Sequence, residues 1–136
     1  YGTVTGVQTC ALPISGSGLG MAVLVPMRRG APVVLPSEGG HADLAPGSPL
    51  EQEILQVLAG RLPHVSWESV LSGPGLVNLY GALCAVWGAP AENLTPEEIS
   101  RRGMLVEDPV CHQVLELFFE IVRDAWKERH TEALAR

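Results

Sequence analysis

The stretch Glu38-Gly39-Gly40-His41 divides the chain into two parts of different character. The residues before it form short apolar runs with β-branched side chains, which are typical of strands. Most of the residues after it follow the three-to-four spacing of amphipathic helices. Two adjacent glycines allow a tight backbone turn at the boundary. The sequence therefore predicts an α/β fold in which a short β-hairpin is followed by several helices.

The same four residues carry the chemistry that is most suggestive of a ligand. Glu38 and His41 stand three positions apart across the two glycines. An ionised carboxylate only accepts hydrogen bonds, whereas a neutral imidazole both donates and accepts. This combination suits a ligand rich in hydroxyl groups, because each hydroxyl also donates and accepts. The alternative is a hairpin loop whose side chains are solvated.

Composition narrows the class of protein. The chain has 136 residues, a formal net charge of -6 and 46% hydrophobic residues, which is enough for one domain with a core. The net negative charge argues against a nucleic-acid partner. The sequence contains no run of 18 or more apolar residues, so no membrane span is expected. The three cysteines lie far apart without CxxC spacing, so neither a zinc site nor a disulfide framework is expected, and a reducing cytoplasm fits.

Residues 1–14 read differently from the rest. Residues 4–14 look like the translation of a sequencing-library adapter, and they lack the basic start and long apolar middle of a signal peptide. We therefore predict that residues 1–14 are a non-native segment that makes few contacts, and that the natural sequence resumes near Ser15. The alternative is a genuine strand rich in Thr and Val.

A glycine loop, residues 16–20, precedes the first apolar run. Its sequence is Gly16-Ser17-Gly18-Leu19-Gly20, and such loops let backbone N–H groups approach phosphates closely. A strand follows the loop here, whereas the Rossmann and P-loop patterns require a helix. A plain turn is the alternative. The apolar runs at residues 21–25 and 32–35 then predict a hairpin.

Helix signals dominate the second part of the chain. Ser48-Pro49, Thr95-Pro96 and Asp108-Pro109 each offer an N-cap followed by proline in the first turn. Residues 72–75 are predicted as a tight turn before a helix, and Cys84 and Cys111 are interpreted as small core residues. The charged segment from Arg123 onward is interpreted as a solvated extension of the last helix.

Taken together, these segments resemble the bacterial ATP-dependent glucokinases, in the branch without a zinc motif. The resemblance covers roughly residues 16–122, and its third segment is long and specific. The matching segments are Gly16-Ser17-Gly18-Leu19-Gly20, Leu35-Pro36-Ser37-Glu38-Gly39-Gly40-His41-Ala42-Asp43-Leu44-Ala45-Pro46, His64-Val65-Ser66-Trp67-Glu68-Ser69-Val70-Leu71-Ser72-Gly73-Pro74-Gly75-Leu76-Val77-Asn78-Leu79-Tyr80 and Asn93-Leu94-Thr95-Pro96-Glu97-Glu98-Ile99.

The resemblance implies an actin-like ATPase fold, related to ribonuclease H, in which two α/β domains close over glucose and ATP. It implies that Glu38, His41 and Glu68 bind sugar hydroxyls, so that their side chains should converge on one cleft. It places Gly16, Ser17 and Gly18 by the nucleotide phosphates, with Ser17 where the family has threonine. ATP with Mg²⁺ is implied as co-substrate, without a tightly bound cofactor or a metal ligand in this chain. The full-length family is implied to be a cytoplasmic homodimer that has no nucleic-acid or membrane partner.

Two departures from the family pattern limit what this chain is expected to do. The family's general-base aspartate and first phosphate loop lie upstream of the matching residues, so no catalytic residue is assigned here. From Arg123 onward the sequence does not match, and a shifted reading frame near Val122 is one explanation. The predicted organisation is therefore residues 1–14 as an adapter-derived segment, residues 15–122 as part of the large kinase domain, and residues 123–136 as a non-matching tail. The chain by itself is expected to be inactive.

Two other functions remain as alternatives. A sugar-sensing repressor of the related kinase-like superfamily would share the turn, but such proteins carry a cysteine-rich zinc motif and a basic DNA-binding domain. After His41 this chain continues as Ala-Asp-Leu-Ala-Pro without a nearby cysteine, which counts against that alternative. A structural domain without a ligand would leave Glu38 and His41 as solvated loop residues.

Overall fold

The computed structural model describes residues 14, 15 and 17–134, and within them the side chains of residues 17–22 and 24–125. The prediction for residues 1–14 therefore lies outside the described residues, except for the backbone of Ile14, which pairs with Gly20.

A small antiparallel sheet occupies the first part of the chain. Its strands are β1 (Ile14–Ser15), β2 (Leu19–Val25) and β3 (Val33–Ser37), in the order β1-β2-β3. Val25 pairs with Val33 and Met21 with Ser37, which gives the hairpin that the two apolar runs predict. Between β1 and β2, Ser15 pairs with Leu19, and residues 17 and 18 lie in the connection between the two strands.

Four helices follow the sheet and build most of the domain. A single 3-10 turn, Gly39–His41, comes first. The helices are α1 (Pro49–Ala59), α2 (Gly73–Trp87), α3 (Pro96–Met104) and α4 (Pro109–Leu134). The order of elements is thus the predicted one, a hairpin and then several helices.

Local capping chemistry explains where the helices start. The hydroxyls of Ser48, Ser72 and Thr95 each accept a hydrogen bond from the backbone N–H three residues later. Each cap is followed by proline within two positions, where a missing N–H costs nothing. At the start of α4, the Asp108 carboxylate accepts from the N–H groups of Val110 and Cys111, at 2.8 and 3.1 Å.

Strand β2 begins at Leu19, two residues earlier than the predicted run, and helix α2 also begins earlier than predicted. Residues 73–75 form the first turn of α2 instead of a tight turn before it. The reason is the Ser72 hydroxyl, which accepts from Gly75 N–H at 3.0 Å and so draws the Gly-Pro-Gly sequence into the helix.

The charged segment after Val122 continues helix α4 without a break to Leu134. A continuous helix here agrees with the interpretation of this segment as a helix extension. The change of reading frame concerns the gene and stays a prediction.

The core lies between the helices and the segment that joins α1 to α2. Many leucine, isoleucine and valine side chains of the four helices are almost fully buried, together with both described cysteines. The largest of these fully buried side chains are Ile54, Leu58, Leu79, Leu83, Ile99, Leu117 and Ile121. In contrast, Val33, Val34 and Leu35 of β3 are 43 to 62% exposed, so the hairpin contributes little to this core. Within the described part of the chain, no helix combines the length and apolar character needed to cross a membrane.

Candidate functional site

The 38–41 turn is held in a compact shape by its own backbone and by Gly40. His41 N–H donates to the Glu38 carbonyl at 2.9 Å, and Gly39 N–H donates to the Ser37 hydroxyl at 3.1 Å. Gly40 is buried, and a Cβ atom there would lie 2.5 Å from the Leu19 carbonyl oxygen. Only glycine leaves room for that close approach. The turn is therefore packed directly onto the start of β2.

A short antiparallel backbone ladder brings Glu68 beside the turn. Glu68 N–H donates to the Gly40 carbonyl at 2.9 Å, and Trp67 N–H donates to the Ala42 carbonyl at 3.1 Å. Leu44 N–H donates back to the Val65 carbonyl at 3.1 Å. The segment around Glu68 and the segment after the turn thus run side by side, although helix α1 separates them in sequence.

The Glu68 segment is itself stiffened by serines. Ser66 and Ser69 exchange hydrogen bonds, each N–H donating to the other's hydroxyl at 3.0 and 3.3 Å. The Ser72 hydroxyl donates to the Glu68 carbonyl at 2.8 Å. Ser66 therefore caps the short turn that holds Glu68.

The three predicted sugar-binding side chains lie together in space. Nδ1 of His41 is 3.1 Å from Oε2 of Glu38, and Nε2 of His41 is 3.4 Å from Oε1 of Glu68. The side chains are 89%, 60% and 33% exposed for Glu38, His41 and Glu68, so the group opens to solvent on the Glu38 side and is anchored on the Glu68 side. The arrangement presents acceptor oxygens on both sides of one imidazole, which matches a ligand with several neighbouring hydroxyls.

The glycine loop meets this group at Glu68. Leu19 N–H donates to Oε2 of Glu68 at 2.9 Å, across 49 residues of sequence. A Cβ atom on Gly18 would lie 2.7 Å from the same oxygen, so the absence of a side chain at Gly18 makes room for the carboxylate. Ser17 is exposed, and Gly16 lies outside the described residues. Of the three residues predicted to lie by phosphates, Gly18 thus contacts the group that includes His41 and Glu38.

An additional pair borders the site and was not anticipated from the sequence. Nε2 of His64 lies 2.5 Å from Oδ1 of Asp43, and both side chains are more than half exposed. Asp43 and Ser66 form an isolated antiparallel bridge, which brings His64, two residues before Ser66, alongside Asp43. No local pattern links these two residues, because their proximity depends on the ladder between the two segments.

Known proteins share both this sequence and this fold. A family model described as Glucokinase matches residues 3–126. The glucokinase of Nitrobacter hamburgensis is 46% identical over 103 residues, which is 76% of this chain and 32% of that protein. The crystal structure of a glucokinase from an Antarctic psychrotroph is 37% identical with a TM-score of 0.80, over 88% of this chain and 37% of that one. The glucokinase of Balamuthia mandrillaris, crystallised in complex with glucose, is 26% identical with a TM-score of 0.69, over 84% and 34% of the two chains.

The chain spans about a third of the length of these relatives. The structural likeness extends over 84 to 88% of this chain, and it confirms the predicted fold class, an α/β part of an actin-like sugar kinase. Because the family match extends over most of the sequence, the chain belongs to the glucokinase family.

Proposed function

We propose that Glu38, His41 and Glu68 bind hydroxyl groups of glucose, and that the whole protein transfers a phosphoryl group from ATP to the sugar's 6-hydroxyl. The observation that supports this most is the convergence of the three side chains, with His41 within 3.4 Å of both carboxylates. Glu38 and His41 come from one turn and Glu68 from a separate segment. The relative from Balamuthia mandrillaris, which was crystallised with glucose, supports the choice of sugar.

The three residues have different parts in this proposal. Glu68 is the most buried of them and is held at Oε2 by Leu19, which leaves Oε1 directed toward His41 and the ligand. Glu38 is almost fully exposed, so its carboxylate is able to swing onto a bound sugar. His41 lies between them and offers either a donor or an acceptor at each ring nitrogen. In phosphoryl transfer the protein acts mainly by positioning groups and balancing charge, and this group supplies the positioning of the acceptor sugar.

For the nucleotide, we propose that ATP enters with Mg²⁺ and that Gly16, Ser17 and Gly18 lie near its phosphates. Because the N–H of Leu19 already donates to Glu68, phosphate contacts in this loop fall to the residues before Leu19. The magnesium ion is proposed to arrive bound to the ATP phosphates, and no residue of this chain is assigned as its ligand. The whole protein is proposed to act in the cytoplasm, in glycolysis and as a homodimer, as the family resemblance implies.

Titration of the full 136-residue chain with glucose tests the sugar role. Followed by amide nuclear magnetic resonance, glucose is expected to shift the signals of Gly40, His41 and Glu68, while glycerol at the same concentration leaves them in place. Shifts that are absent, or that occur only in helices α3 and α4, would overturn the assignment of the sugar to this turn.

A further inference from the structure

The Glu68 carboxylate faces two different parts of the molecule with its two oxygens. Oε1 lies 3.4 Å from Nε2 of His41, in the proposed sugar site. Oε2 accepts the N–H of Leu19 at 2.9 Å, at the end of the glycine loop. The side chain is one-third exposed, so it is neither a free surface group nor a purely internal one. A single carboxylate therefore connects the sugar turn to the loop that precedes β2.

The packing around Leu19 makes this connection rigid. A Cβ atom on Gly18 would approach Oε2 of Glu68 to 2.7 Å, and a Cβ atom on Gly40 would approach the Leu19 carbonyl to 2.5 Å. The absence of a side chain at Gly18 thus makes room for the Glu68 carboxylate beside Leu19. The absence of a side chain at Gly40 lets the 38–41 turn pack onto the Leu19 backbone. The Leu19 side chain is 8% exposed and packs in the core, so its backbone has little freedom to move away. Movement of the Glu68 carboxylate therefore changes its hydrogen bond with the Leu19 N–H, at the end of the glycine loop.

We propose that Glu68 is a positioning residue for the glycine loop, and that occupancy of the sugar site is transmitted to that loop through its carboxylate. The first half of the proposal concerns the unliganded protein and stands on the Leu19 contact alone. The second half rests on the proposed sugar role of Glu68. A sugar hydroxyl that binds Oε1 restricts rotation of the carboxylate and thereby holds Oε2 on the Leu19 N–H. The loop would then be set in place before the nucleotide arrives, which is the positioning that phosphoryl transfer requires.

Hydrogen exchange at the Leu19 amide tests the first half without any ligand. In the unaltered full chain this amide is expected to be protected. Glu68→Ala should accelerate its exchange by about 10- to 150-fold, the range set by loss of a hydrogen bond to a charged acceptor. Glu68→Gln keeps an oxygen acceptor and should restore most of the protection. Unchanged exchange at Leu19 in Glu68→Ala would overturn the proposal.

A pair of glycine variants tests the same contact while leaving Glu68 in place. Gly18→Ala forces the carboxylate away from Leu19, whereas a Cβ atom on Gly20 meets nothing within 4 Å. We expect faster Leu19 exchange in Gly18→Ala and unchanged exchange in Gly20→Ala, with the amides of Leu79 and Val114 in the core protected in both. Equal acceleration in the two variants would contradict a specific role for Glu68. This pair decides the question even if Glu68→Ala fails to fold.

Glucose titration tests the second half. In the unaltered chain and in Gly20→Ala, glucose is expected to shift the Leu19 amide together with that of His41. In Gly18→Ala the shift at His41 should persist while the shift at Leu19 is lost. A glucose response at His41 without one at Leu19 in the unaltered chain would overturn the transmission. If glucose shifts neither amide while Leu19 remains protected through Glu68, the proposed sugar role fails and the positioning contact is supported.

Discussion

Nε2 of His41 lies 3.4 Å from Oε1 of Glu68, and the backbone carbonyl next to that histidine, in Gly40, accepts the N–H of the same glutamate. The side-chain contact is thus set by a backbone hydrogen bond one residue away. Any ligand that binds both side chains meets groups whose spacing is fixed before it arrives. This pre-organisation lowers the entropic cost of binding.

Replacing Glu38 should weaken glucose binding without unfolding the chain. The Glu38 side chain is 89% exposed, so Glu38→Ala removes the proposed sugar contact and almost no packing. A hydrogen bond to a charged group contributes roughly 1.5 to 3 kcal/mol, which corresponds to about 10- to 150-fold in affinity. Calorimetric titration measures the change. Glu53→Ala, an exposed glutamate of α1, is the matched control and should leave the affinity unaltered; equal losses in both variants would contradict the assignment.

The 136-residue chain should not phosphorylate glucose by itself. The family resemblance places the general base upstream of the matching residues, and such a base contributes about 10²- to 10⁴-fold. Asp43 is close to the site, but its carboxylate is engaged by His64 at 2.5 Å. A coupled assay for glucose 6-phosphate with ATP and Mg²⁺ should remain at background. Turnover that disappears in Glu38→Ala would show that this expectation is wrong.

Two glycines of helix α2 should respond oppositely to alanine. At Gly75 a Cβ atom would lie 2.5 Å from the carbonyl carbon of Val70 and 2.6 Å from its oxygen, and backbone atoms yield little. Gly75→Ala should therefore destabilise the fold by about 1 to 3 kcal/mol or more. At Gly81 the added atom would meet only the end of the Arg61 side chain, at 3.2 Å.

Gly81→Ala should consequently stabilise the chain by about 0.5 to 1 kcal/mol, the usual gain from alanine in a helix. Urea unfolding followed by circular dichroism compares the two variants. Loss of stability of similar size in both would refute the close Val70 contact as the cause.

Cys111 should make stability fall in alkaline solution. Burial, together with the nearby Asp108 carboxylate, raises the pKa of this thiol from 9.0 to about 11. The pKa is higher in the folded chain than in the unfolded chain, so the stabilising contribution is complete below about pH 9 and is lost as pH rises through about 11. The shift corresponds to about 2 to 3 kcal/mol at most.

Urea unfolding at about pH 8 and pH 11 measures this loss. Cys111→Ala removes the titrating group, so its stability should decline less over the same interval. A decline equal to that of the unaltered chain would exclude Cys111 as the source. Burial also raises the pKa of the Cys84 thiol, which remains present in both proteins.

The predicted boundaries of the natural sequence can be checked in the gene. If residues 1–14 derive from an adapter and the tail from a changed reading frame near Val122, the flanking nucleotides should show an adapter junction before Ser15 and a frame in which glucokinase-like sequence continues after Val122. An uninterrupted native frame through both points would contradict these boundaries.

Much of the fold follows from local chemistry in the sequence. Ser48, Thr95 and Asp108 mark helix starts because a side-chain oxygen next to a proline satisfies the first backbone donors, whatever the rest of the chain does. The hairpin follows in the same way from two apolar runs around a polar turn. Such effects act over a few residues, which is why these starts and strands agree with their predictions. The misplaced helix boundary at Gly73 also has a local cause, the Ser72 cap.

The sequence by itself also singled out Glu38, His41 and Glu68, through their motifs, but it contained no measure of the distances between them. Only the tertiary structure showed that Glu68 lies next to His41, Gly18 next to Glu68, and His64 next to Asp43. Each of these contacts depends on hydrogen bonds between segments far apart in the chain, such as Glu68 to Gly40 and Leu19 to Glu68. The sequence predicts Gly18 as a phosphate-loop residue. The structure shows that the absence of a side chain at Gly18 also makes room for the Glu68 carboxylate, because the packing of two distant segments brings the two residues together.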